Sequence, residues 1–90
     1  MAQIIKTTGE VIETQPKNGT DFSLEELQTI VGGYIEVVSL RDGRLVCCDE
    51  QGKCKGKDRN HKATDIFQAA LPTRDFLVGD VLVCDVNEIK

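Results

Sequence analysis

The chain has 90 residues at net charge −4, with 40% hydrophobic and 29% charged residues, one Tyr, three Phe and no Trp. That is one small globular domain with an aliphatic core, short enough that self-association is expected, and too acidic for general affinity to nucleic-acid phosphates. No apolar run reaches the ~20 residues of a membrane helix, and MAQIIKTTGE lacks the basic start and apolar stretch of a signal peptide, so a cytoplasmic setting is expected, with the four cysteines as thiols.

QIIKTT (residues 3–8) and VIETQ (residues 11–15) are β-rich runs around Gly9-Glu10 and predict a hairpin or a strand with a tight return; the turn cluster from Pro16 to Thr20 ends this unit. Ser23-Leu24-Glu25-Glu26 then fits a capping box, with Phe22 and Leu27 placed as a hydrophobic staple. Leu24, Leu27, Ile30 and Val31 give a helix one apolar face, and Gly32-Gly33 supplies its exit. A strand from Tyr34 to Leu40 turns at Arg41-Asp42-Gly43-Arg44 and returns through Leu45–Asp49. After the turn at Glu50-Gln51-Gly52-Lys53, residues 53–55 are expected to add a short third strand. A second helix starts near Asn60 or Lys62, covers Ala63 to Ala70 with Ile66, Phe67 and Ala70 inward, and is ended by Pro72. Residues 76–84 read as two strand segments around Gly79, or one strand bulged there, and their near-continuous apolarity predicts a central place in the sheet. The expected fold is α+β, of order ββαβββαβ, with a mostly antiparallel sheet and two short helices.

The segment KCKGKDRNHKATDIF departs from the rest of the chain. Over residues 53–62, Lys53, Lys55, Lys57, Arg59 and Lys62 stand against the single acid Asp58, a local +4 that leaves −8 for the remainder. If the segment is extended, Lys53, Lys55 and Lys57 share a face that Arg59 continues, and Gly52 and Gly56 allow close backbone approach. A helix starting near Asn60 would add free amides. Lys53, Lys55, Lys57, Arg59, Asn60 and Thr64 are therefore the candidate site for a phosphate-bearing, nucleotide-like anion. In that site Arg59 grips phosphate and Asn60 and Thr64 read a base or ribose. The competing reading is a solvated lysine edge that guards the sheet. A different class of function is a protein-interaction module whose basic edge and apolar helix face dock an acidic partner; a purely structural accessory role is a third.

Other chemistry fares worse. Cys47, Cys48, Cys54, His61 and Cys84 do not have zinc-knuckle spacing, and adjacent strand residues such as Cys47 and Cys48 point to opposite faces. Lys53 and Lys55 would activate an exposed Cys54, with His61 as a conceivable base, but no orienting carboxylate accompanies the pair. Asp49-Glu50 and Glu25-Glu26 have ordinary turn and helix-surface roles, Tyr34 is expected half-buried in its strand, and Asp80 is expected to bond local amides. No catalytic residue, metal or cofactor is expected.

The chain resembles a known family in LEELQTIVGGYIEVVSL, the GRLVCCDEQGKCKG hairpin, Asn60 with Ala63-Thr64, and FLVGDVLVCD. This is domain of unknown function 3846, an uncharacterised family of phages, conjugative elements and the bacteria that carry them. The resemblance spans roughly residues 3 to 85 and implies an α+β fold in a mobile-element setting, with no activity attached. Apolar residues often occupy the family positions held here by Cys54, Lys57 and Asp58, so the extra charge of this loop is particular to this chain.

Overall fold

The structure, a computed structural model, describes residues 2–89. Its elements are β1 (Ala2–Ile5), β2 (Val11–Thr14), α1 (Leu24–Val31), β3 (Ile35–Ser39), β4 (Arg44–Asp49), α2 (His61–Ala70) and β5 (Val81–Asp85), closed by one 3-10 turn at Val86–Glu88. The strands form a single sheet in the order β2-β1-β5-β4-β3, antiparallel at every pairing. The expected class holds, and β5 is central as its unbroken Val-Leu-Val-Cys run predicts.

One strand of the expected order is missing. Residues 53–55 lie in a series of turns that runs from Glu50 to Gly56. Lys55 N–H donates to Gln51 C=O and Lys57 N–H to Gly52 C=O, so the segment satisfies its amides on itself instead of joining the meander. The run from Phe76 is two-part: Val78 makes an isolated bridge to Arg59, and β5 begins only after Gly79.

The helices lie on opposite faces of the sheet. Leu27 and Val31 of α1 pack with Phe22 on Leu45, Cys47, Leu82 and Cys84. Ala63 and Phe67 of α2 pack on Ile5, Val46, Cys48, Val81 and Val83. Both faces are therefore dry over the central strands, and both adjacent cysteines are buried, one in each cluster. Burial pushes the Cys47 thiol up to about 12 and those of Cys48 and Cys84 to about 11. They are small hydrophobes, inert as nucleophiles.

α1 begins with the predicted capping box: Glu26 N–H donates to Ser23 Oγ at 3.1 Å, and Ser23 N–H donates to Glu26 Oε1 at 3.0 Å. α2 begins at the earlier of the two expected points, with Asn60 as N-cap accepting from Ala63 N–H at 3.0 Å. Asn60 is fully buried, and its amide nitrogen donates to Ile5 C=O at 2.8 Å and Gly79 C=O at 2.9 Å. One side chain thus ties the end of β1, the approach to β5 and the start of α2. Asn60→Ala strands two carbonyls and an amide and is expected to cost about 3 kcal/mol in urea unfolding. Asn60→Asp, harmless at an exposed cap, is expected to be at least as damaging because its carboxylate faces both carbonyls; unfolding midpoints for the two variants check this.

Candidate functional site

Two features stand out on this scaffold: a charged end of the sheet, and an open edge along β3. At the charged end β4 finishes with Asp49, whose side chain is only 1% exposed. Asp49 Oδ2 meets Lys57 Nζ at 2.7 Å and Lys55 Nζ at 2.9 Å, and Oδ1 accepts from Gln51 N–H at 2.9 Å. Lys57 Nζ also donates to Val31 C=O at 2.7 Å, placing a cation against the C-terminal end of α1. Burial opposes ionisation of Asp49, yet Lys57, Lys55 and the Gln51 amide outweigh it and hold the carboxyl down from 3.8 to about 2. Sequence reasoning gave Asp49 an ordinary turn role. Its burial comes from the loop folding back over the strand end, which no local pattern announces.

The room for this cluster is made by glycines. A Cβ on Gly33 would lie 2.6 Å from Lys55 Nζ and 2.8 Å from Asp49 Oδ2. Gly79 has φ +73°, and a Cβ there would lie 2.8 Å from Lys57 Cδ.

The six residues grouped by sequence as an anion site are not arranged as one. Lys55 and Lys57 share Asp49, while Lys53 is ion-paired to Asp75. Arg59 stacks on Phe76, its guanidinium carbon 3.9 Å from the ring centre, and Lys53 Nζ sits 4.4 Å from the same ring. Asn60 and Thr64 face inward: the Thr64 hydroxyl accepts from Leu77 N–H at 2.9 Å and donates to Leu77 C=O at 3.4 Å. The alternation that put three lysines on one face assumed a strand, and the turns disperse them. Asp80 also departs from expectation, since its carboxylate accepts from Thr7 N–H, far away in sequence, at 3.1 Å.

Among the described residues no three His, Cys, Asp or Glu side chains gather closely enough to hold a metal ion. Cys54 is exposed on the loop, and no hydrogen bond joins it to His61 at the start of α2. No helix among the described residues is long and apolar enough to cross a membrane.

The second feature is β3. Tyr34 C=O accepts from Glu50 N–H and Leu40 N–H donates to Arg44 C=O, so the even-numbered residues of β3 bond to β4. Ile35, Val37 and Ser39 therefore turn their main-chain N–H and C=O groups away from the sheet. Val37 is 41% exposed and the preceding Tyr34 66%. On the α2 side the strand borders a cleft of about 120 Å³ with Val38, Cys48, Phe67 and Phe76 among its apolar walls and Glu36 and Glu50 on its polar ones. Sequence reasoning identified the strand but not that it would lie outermost.

The chain matches the family model described as Domain of unknown function (DUF3846) over residues 3–90, and it belongs to that family. No curated protein and no solved structure gave a significant match. The residues that carry the family resemblance meet in space at the charged end. Gly32 and Gly33 border Lys57 and Lys55, a Cβ on Gly52 would lie 2.8 Å from Val78 Cγ2, and Asn60 bonds to Gly79. In this chain they hold the sheet end together.

The pH dependence of the Asp49 cluster follows from its sign. The folded carboxyl is depressed, so its stabilisation is complete above 3.8 and is lost as the pH falls toward 2. Asp49→Asn is expected to lose about 2 kcal/mol at pH 7, with the gap to the parent chain closing between pH 4 and pH 2. Urea titrations across that range measure it.

Proposed function

We propose that this DUF3846 member is a binding protein without catalytic chemistry of its own, acting by addition of a partner strand to the open edge of β3. The observation that carries this reading is the state of that edge. Ile35–Ser39 is five residues long, in unbroken register with β4 and mostly β-branched, with one charge at Glu36 and no Lys, Pro or bulge. Those are the devices that ordinarily keep an outer strand from pairing. A strand laid against it would gain main-chain hydrogen bonds from Ile35, Val37 and Ser39, and would present alternate side chains to the cleft beside Val38. The other edge, β2, is shorter and turns outward only the main chain of Val11 and the acidic Glu13.

Capture of a phosphate-bearing anion by residues 53–64 has less support, because three of its lysines are already ion-paired and Asn60 and Thr64 are buried. A mobile-element setting, which the family resemblance implies, suits a small protein that works by occupying another chain.

Selection of displayed random peptides on the immobilised protein tests the reading. Enriched peptides are expected to be extended and to alternate apolar with polar residues. Val37→Pro removes an outward N–H without touching the β4 ladder, and it should weaken these peptides at least about tenfold with the fold intact by circular dichroism. Binders indifferent to Val37→Pro would count against strand addition.

A further inference from the structure

We infer that the strand received by β3 is the β3 of a second copy of this chain, running antiparallel about a two-fold axis through Val37. The inference rests on the strand-addition reading and names its partner.

The first argument is self-complementarity. Pairing Ile35 with Ser39, Val37 with Val37 and Ser39 with Ile35 uses every outward main-chain group of both strands, each pair exchanging two hydrogen bonds. It joins two five-stranded sheets into one. Shifting the axis to residue 36 would set Glu36 directly against its own copy, and shifting it to residue 38 would draw in Arg41, which lies in the turn. With the axis at Val37, Glu36 faces Val38 and the half-exposed valines cover each other.

The two ends of the strand also match. Arg41, at the turn that ends β3, has no ion-pair partner among the described residues. At the other end of the strand stand exposed Tyr34 and, beside it on the β4 side, exposed Glu50, whose carboxylate makes no hydrogen bond or ion pair among the described residues. The two-fold sets residue 40 against residue 34, which brings each Arg41 beside the other copy's Tyr34 ring, with Glu50 one strand further on. The exposed Tyr34 ring lies at one end of the strand and the unpaired Arg41 at the other, and only the antiparallel arrangement brings the two together twice.

Sedimentation of the full chain tests the state, and disulfide trapping tests the register. The parent chain is expected to sediment as a dimer at about 100 µM, and Val37→Pro as a folded monomer. Arg41→Ala and Tyr34→Ala should each raise the dissociation constant about threefold, and the double variant should add little to either. In a Cys54→Ser background, Val37→Cys should cross-link to itself on mild oxidation, because paired α-carbons lie about 5.5 Å apart. Ser39→Cys should not, since its copies would be about 14 Å apart.

A parent chain that is monomeric at that concentration overturns the second-copy inference. If selected peptides still depend on Val37, strand addition stands with a foreign chain as occupant; if they do not, both readings fall. A dimer that survives Val37→Pro, or that cross-links through residue 39 and not 37, overturns the proposed interface.

Discussion

The carboxylate of Asp49 governs how the charged end of this small sheet is closed. A charge with 1% side-chain exposure at the end of a strand is costly unless it is matched. Here it is matched by two lysines from the following loop, both still partly in water, so their own desolvation is limited. Because both ammonium groups must converge on one oxygen, the loop from Glu50 to Arg59 has to wrap back over the strand end. One of those lysines continues to the last carbonyl of α1, which docks the helix end onto the sheet. The glycines around it follow as a requirement of space, since side chains at positions 33 and 79 would occupy the volume of the ion pairs. Asn60, on the α2 side, does for β1, β5 and α2 what Asp49 does for β4 and α1.

With its faces covered by helices and this end closed by polar bonds, the sheet's open main chain is at its two outer strands. Donors and acceptors at an edge remain attractive to any passing strand, and the side chains decide whether approach is permitted. The β3 edge is the less guarded of the two. In the basic loop Lys53, Lys55, Lys57 and Arg59 are committed to Asp75, Asp49 and Phe76, and the uncommitted apolar surface lies elsewhere.

Much of the fold was legible residue by residue. The capping box at Ser23, the apolar spacing of α1, the turn at Gly43 and the unbroken apolar run of β5 each act over a few residues, so local pattern suffices. The strand expected at residues 53–55 failed because alternation of lysines is only a statement about side chains. The chain there closes its own hydrogen bonds in consecutive turns. The same turns send Lys53 to Asp75 and Lys55 and Lys57 to Asp49, and Asn60, read as a ligand contact, is fully buried.

By itself the sequence determined what elements this protein has, because caps, periodicity and turn residues are short-range chemistry. It also determined that Cys47 and Cys48 part company, since a strand alternates its faces. What only the tertiary structure decided is which charges are spent and which strand is left open. Ion pairing across six or eight residues of loop, and the order of strands in a sheet, depend on where distant segments come to rest. That is why a cluster of five basic residues proved to be mostly internal bonding, while a plain run of Ile, Val and Ser became the edge of the molecule.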